Sequence, residues 1–244
     1  MEVFVESLSG RVCCLYAKAR GSGALAILAH GYLSDKASRT NAGLSSRLNA
    51  AGISTLAFDM YGHGESEGDV ERLTVTKVVD NILAIYGFAE KEGYARIGLA
   101  GSSFSGSPSL ISAAKLPFSA LALKCPVFDG KRLSDERLGP EGVARWKREG
   151  FYSPFGRRWS YEVYEDESGY DMKSIASKIN APTLVVHGSR DVTVPISQAY
   201  SLMDALRCEK KLVVVDGADH FFRDEAHFSR MISESAGWLV SHLR

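Results

Sequence analysis

The chain is short of most features that mark a specialised protein. It has four cysteines, Cys13, Cys14, Cys125 and Cys208, with one adjacent pair and no C-x-x-C spacing. That disfavours a disulfide scaffold or a zinc ribbon and leads us to expect reduced thiols in a cytoplasmic protein. It has no excess charge, with 29 Lys+Arg against 29 Asp+Glu. Without a global field, neither nucleic acid nor an anionic membrane surface is an expected partner. No apolar run approaches the ~18 residues that suggest a membrane span. The opening MEVFVESLSG lacks the basic start and apolar stretch of a signal peptide. The six histidines show no H-E-x-x-H or similar ligand spacing, so no metal site is expected. After the first run that suits a parallel strand, a dinucleotide-binding chain would carry G-x-G-x-x-G. This one has His30-Gly31-Tyr32-Leu33-Ser34-Asp35, so no nucleotide cofactor is expected, and no other cofactor is indicated.

What remains is an ordinary globular composition: 244 residues, 45% hydrophobic and 24% charged. That length is compatible with one α/β domain. Residues 3–7 and 11–19 read as a hairpin around Ser9-Gly10. Short apolar runs follow at 24–29 (ALAILA), 53–58 (ISTLAF), 96–100 (RIGLA), 120–124 (ALALK), 183–186 (TLVV) and 212–215 (LVVV). Runs apolar on both faces suit interior strands of a parallel sheet covered on both sides. Between them lie helical patterns. Val75, Val78, Val79, Ile82, Tyr86 and Ala89 form one amphipathic stripe, which Thr74 is placed to cap. Residues 38–51, 106–115 and 196–206 read as further helices, and Phe228, Met231, Ile232 and Leu239 mark a last one. Alternating strands and helices predict a doubly wound α/β sheet.

One segment breaks the alternation. Residues 129–171 contain no clear strand, yet hold eight aromatics, eight basic and ten acidic residues. A long insertion of this kind is more often functional than filler. It is expected to form a small cap over the carboxyl edge of the sheet; the alternative is an excursion that packs its own aromatics.

The chemistry concentrates at Gly101-Ser102-Ser103-Phe104-Ser105-Gly106. This hexapeptide follows a strand pattern and precedes a helix pattern, the setting of a nucleophile elbow. Ser103 has Gly101 two residues before it, but Ser105 where G-x-S-x-G has its second glycine. Ser102 and Ser105 are rival nucleophiles without a glycine two residues earlier. A serine hydroxyl needs a base to take its proton, and the base needs a carboxylate to hold it. Asp191 lies just past the strand at 183–186, and His220 just past the strand at 212–215. The order Ser, Asp, His is that of α/β-hydrolases, and all three fall at strand carboxyl ends, where open α/β sheets place their sites. Asp219 is a rival for the orienting acid, disfavoured because adjacent residues in a turn rarely face each other. Asp59 and His63 are expected to be structural, His187 packed, and His227 and His242 at the surface.

Four segments together resemble an α/β-hydrolase of the serine-esterase and serine-aminopeptidase-like branch: HGYLSDK at 30–36, FDMYGHGESEG at 58–68, GSSFSG at 101–106, and the pair HGSRDVTVP and GADHFF. Feruloyl or cinnamoyl esterases and monoacylglycerol lipases are the most similar types. The resemblance implies a single domain over 1–244, with a mostly parallel eight-stranded sheet, flanking helices and a cap insertion at about 129–171. It implies an oxyanion hole made by the main-chain N–H groups of Tyr32 and Phe104. It further implies hydrolysis of a small-molecule carboxylic ester through Ser103, His220 and Asp191, without cofactor or metal, by a monomer or homodimer that inserts into no membrane. The same triad also serves thioesterases, aminopeptidases and acyltransferases, and a hydrolase-fold binding protein with little turnover is the alternative from another class.

Overall fold

The computed structural model describes residues 1–21 and 23–244. The side chain of Phe155, one of the eight aromatics counted above, lies outside the described residues. Among the described residues the main sheet has eight strands: β1 (Glu2–Ser7), β2 (Gly10–Ala17), β3 (Ala24–Ala29), β4 (Ser54–Phe58), β5 (Arg96–Ser102), β6 (Ala120–Lys124), β9 (Thr183–Gly188) and β10 (Lys210–Val215). Their order across the sheet is β1-β2-β4-β3-β5-β6-β9-β10. The β1–β2 and β2–β4 pairings are antiparallel, and the remaining pairings are parallel. Two further strands, β7 (Phe151–Tyr152) and β8 (Trp159–Ser160), form a separate hairpin inside the insertion. The sequence gives no sign of them because each is two residues long.

The alternation of side chains explains why the apolar runs form central strands. In β3, Leu25, Ile27 and Ala29 enter one core, while Ala24, Ala26 and Leu28 enter the other. In β6, Leu121 and Leu123 face the first core, and Ala120 and Ala122 the second. Small residues on the second face let α8 (Glu225–Leu243) come close, and it fills the space with Met231, Leu239 and Leu243. At Gly98 the approach is so tight that a Cβ would lie 2.9 Å from Leu243 Cδ1. On the first face lie α2 (Val75–Lys91) and α3 (Gly106–Ala113); α1 (Arg39–Ala50) joins α8 on the second.

Helix starts follow their capping residues. Thr74 accepts from the Lys77 N–H at 3.3 Å, Ser38 from Asn41 N–H at 3.3 Å, and Asp224 from His227 N–H at 3.0 Å. Each satisfies a donor that the helix itself leaves without an acceptor. The insertion contains α4 (Gly130–Glu149) and α5 (Glu162–Ser168); α6 (Met172–Ser177) comes just after it, and α7 (Ser197–Ala205) follows β9. Helix α4 is broken at Gly139, whose φ of 62° precedes Pro140. A proline disfavours helical backbone in the residue before it, and glycine accepts the left-handed alternative.

The insertion's aromatics pack partly on one another. Trp146 contacts Tyr152, Tyr161 and Tyr164, and its indole N–H donates to Trp159 O at 3.1 Å. Trp159 also reaches the main domain, stacking on Tyr32 at 4.8 Å between ring centroids. The insertion thus meets the sheet beside the loop that leaves β3.

Candidate active site

Strand β5 runs two residues further than the apolar pattern suggests, through Gly101 and Ser102. The chain then passes through a single 3₁₀ turn, Ser103–Ser105, into α3, and Ser103 adopts a φ of 56°. Left-handed backbone is costly for a side chain with a Cβ, on the order of 1–2 kcal/mol. It persists here because the turn leaves no room to relax. A Cβ on Gly101 would lie 2.5 Å from Ser109 Oγ, and one on Gly106 would lie 2.6 Å from Pro126 Cβ. Ser105, at the unusual position, is fully buried and used as structure. Its Oγ accepts from Ser102 N–H at 2.7 Å and faces Ala29 O and Ser102 O at 3.1 and 3.0 Å as donor. Ser102 Oγ lies 3.5 Å from Lys124 Nζ. Of the three serines, Ser103 alone has its hydroxyl on His220, with Nε2 at 2.9 Å.

His220 is 4% exposed, and its Nδ1 lies 2.6 Å from Asp191 Oδ2. An N–H at Nδ1 donates to that carboxylate and leaves Nε2 as the acceptor for the serine proton. Asp191 Oδ1 accepts from the N–H groups of Thr193 and Val194 at 2.8 and 2.7 Å. Burial works to raise the Asp191 pKa, but the neighbouring imidazoles of His187 and His220 and the Val194 N–H outweigh it, so the carboxyl is held below its usual range. Asp219, the rival acid, instead pairs with Arg223.

The loop after β3 lies against the elbow. A Cβ on Gly31 would sit 3.3 Å from Ser103 Cβ. Two histidines hold this loop. His30 Nε2 accepts from Met60 N–H at 3.0 Å while Nδ1 donates to Gly31 O at 2.7 Å. Burial, reinforced by neighbouring His63, pushes the His30 pKa down to about 4. His63 Nε2 accepts from Leu33 N–H at 3.2 Å, and its Nδ1 donates to Tyr61 O at 3.0 Å. Asp59, wholly buried, accepts from Lys36 N–H at 2.7 Å, Lys36 Nζ at 2.9 Å and Glu65 N–H at 3.0 Å. Asp59 and His63 are therefore scaffold for the loop that carries Tyr32.

Two cavities meet at Ser103. One, of about 70 Å³, runs under the insertion and is lined by Tyr32, Phe104, Val127, Leu133, Trp159, Val194, Arg137 and Glu167. The other, of about 300 Å³, lies on the His220 side, between the loop after β3 and the start of α1, with Lys124 in its wall.

Several of these residues carried no signal in the sequence. His187, read there as packed, is fully buried; its Nε2 donates to Val194 O at 2.9 Å and lies 3.4 Å from Asp191 Oδ2. Cys125, His187 and Asp191 bring ligand-type atoms within 4.8 Å of one another. The imidazole donates toward the protein, and the carboxylate is engaged by His220 and two N–H groups, so this set already has protein partners. His227 and His242 are half-buried rather than fully at the surface, and His242 packs on Trp238 at 4.3 Å.

The profile of the prolyl oligopeptidase family matches residues 48–244. A monoacylglycerol lipase of Mycolicibacterium smegmatis is 27% identical over 252 residues, covering 89% of this chain and 88% of that protein. Among solved structures, Est1E from Butyrivibrio proteoclasticus, with ferulic acid bound, superposes with a TM-score of 0.86 at 24% identity over 98% of both chains. Mouse alpha/beta hydrolase domain-containing protein 10 gives a TM-score of 0.83 at 20% identity over 96% of each chain. The sheet order, the left-handed turn after β5 and the family match agree: this chain belongs to the prolyl oligopeptidase family and is a serine hydrolase on the α/β-hydrolase fold.

Proposed function

We propose that the chain hydrolyses a small carboxylic ester through an acyl-enzyme on Ser103. The observation that carries this reading is the relay from Ser103 Oγ to His220 Nε2 at 2.9 Å and from His220 Nδ1 to Asp191 Oδ2 at 2.6 Å. As Ser103 attacks the carbonyl carbon, its proton passes to His220, and Asp191 stabilises the imidazolium. The carbonyl oxygen gains negative charge and takes hydrogen bonds from the Tyr32 and Phe104 N–H groups, each worth about 10²–10³ in rate. His220 then gives its proton to the departing alcohol. Water, deprotonated by the same imidazole, releases the acid and restores the serine.

The acyl group occupies the cavity under the insertion. Its apolar and aromatic wall favours an acyl chain or ring of modest size. Residues 129–171 act as the cap over this cavity, supported by the stacking of Trp159 on Tyr32. The similarity to a monoacylglycerol lipase and to an esterase with ferulic acid bound supports ester over amide chemistry.

The test combines a fluorophosphonate probe with a panel of p-nitrophenyl esters of increasing acyl length. Labelling of Ser103, found by mass spectrometry, together with ester turnover that Ser103→Ala lowers by about 10⁴-fold or more, is the expected result. Turnover that survives Ser103→Ala overturns the reading. Tight ligand binding with neither labelling nor turnover puts the binding-protein alternative in its place.

A further inference from the structure

Lys124 closes β6 and points toward the second core, where its ammonium has no acidic partner. It is 9% exposed. Its Nζ lies 3.5 Å from Ser102 Oγ and 5.7 Å from the centre of the Phe222 ring, and among the described residues no carboxylate forms an ion pair with it. Burying an ammonium without a counter-charge is expensive. Burial accordingly lowers the Lys124 pKa, opposed at longer range by Cys125, Asp191 and Asp219.

The surroundings sharpen the problem. Lys124 lines the cavity of about 300 Å³ that also contains Ser103 and His220. The start of α1 lines the same cavity, through Ser38, Arg39 and Thr40. The Ser38 side chain caps only the Asn41 N–H. The Arg39 and Thr40 N–H groups belong to the first turn, which has no acceptors of its own. A helix N-terminus carries roughly half a positive charge. One cavity is therefore lined both by an ammonium without a counter-charge and by the positive end of a helix, and α1 has no acidic residue in its first turn. The nearby acids are engaged elsewhere: Glu225 holds Arg39, and Asp219 holds Arg223. An anion between Lys124 and α1 satisfies both positive groups at once.

We infer that this cavity binds an oxyanion, a carboxylate or phosphate, carried on the leaving-group side of the ester. The side is set by His220: it lines this cavity, and the alcohol must leave toward the imidazole that protonates it. The inference rests on the hydrolase reading above for its placement in the reaction, but not for the anion site itself.

Acyl-matched ester pairs test it. One pair is 4-nitrophenyl and 3-carboxy-4-nitrophenyl butyrate; the other is a 1-acylglycerol and its 3-phosphate. The first pair reads carboxylate and the second reads phosphate. In Lys124→Met the ratio of kcat/KM for the anionic over the neutral member falls about 10–100-fold, chiefly through KM, as expected for one charge-assisted hydrogen bond. Thr40→Glu, which places a carboxylate at the cavity wall while suiting a helix start, lowers the same ratio without altering Lys124. Inorganic phosphate raises the melting temperature of the unmodified protein, and Lys124→Met abolishes the rise. Unchanged ratios in both variants, with equal phosphate effects, overturn the inference. If Ser103 is not labelled and no ester turns over, the hydrolase reading fails, and the phosphate melting shift alone decides the anion site.

Discussion

Glu167→Gln should make the folded protein more resistant to alkaline conditions. Glu167 sits in α5 with its carboxyl in the wall of the cavity under the insertion. It is 9% exposed, and among the described residues no hydrogen bond reaches its carboxyl. The fit around it is close, since a Cβ on Gly130 would meet Glu167 Oε1 at 1.9 Å. Burial, with smaller contributions from the charges of Asp166 and Asp129, pushes its pKa from 4.5 up to about 8. The unfolded chain releases this proton near the ordinary value, while the folded chain keeps it until about pH 8. Between those limits the folded state binds the extra proton, so stability falls as pH rises. At about 1.4 kcal/mol per pH unit the full effect is about 5 kcal/mol, of which about 4 kcal/mol develops between pH 5 and pH 9. Glutamine keeps the shape and has no proton to lose. Urea unfolding of both proteins at pH 5, 7 and 9 checks this, because titrations elsewhere cancel in the difference. The variant should gain about 4 kcal/mol over the unmodified protein across that range. Parallel profiles would mean that Glu167 is ionised in the folded state, and the picture of a desolvated carboxyl in the cavity under the insertion would be wrong.

Three further outcomes follow from the same contacts. Ser103→Gly should be more stable than Ser103→Ala by about 1 kcal/mol, because only the alanine keeps a Cβ at a φ of 56°; equal midpoints in denaturant would contradict the strained turn. Ser105→Gly restores the G-x-S-x-G pattern but strips the 2.7 Å acceptor from the buried Ser102 N–H. It should cost about 1–3 kcal/mol in a denaturant titration while fluorophosphonate labelling of Ser103 persists. Asp59→Ala strips the acceptor from the Lys36 and Glu65 N–H groups and one of three carboxylates from Lys36 Nζ, which keeps Glu65 at 2.6 Å and Glu2 at 3.4 Å, and should cost about 1–3 kcal/mol at neutral pH. Burial alone would raise the Asp59 pKa, but Lys36 and the Glu65 and Lys36 N–H groups outweigh it and hold it below the usual value. This contribution is present above the unfolded pKa and fades as pH falls through the folded one, so acid titration should bring the two proteins together.

The strands were legible, and the proposed Ser103–His220–Asp191 relay could be read out, because each rests on local chemistry. ALAILA is apolar at every position, and β3 spans those same six residues. Ser103, His220 and Asp191 each follow a strand pattern, and the parallel topology brings those strand ends to one edge. Even the choice of Asp191 over Asp219 follows from turn geometry, and the 2.6 Å contact to His220 agrees. The imperfect elbow was legible only as an anomaly: Ser105 reads as a missing glycine until its hydroxyl is seen bonded to the backbone of both β3 and β5. The insertion was visible in composition, but its hairpin was not, because two-residue strands are set by their partner and not by their own pattern. Lys124 and Glu167 mark the real limit. In sequence they are a lysine ending an apolar run and one acid among the ten in the insertion. What makes them chemically unusual is burial without an opposite charge, and that depends on α1, α8 and the insertion packing over them from distant parts of the chain. A charge that tertiary packing leaves unmatched has no local signature.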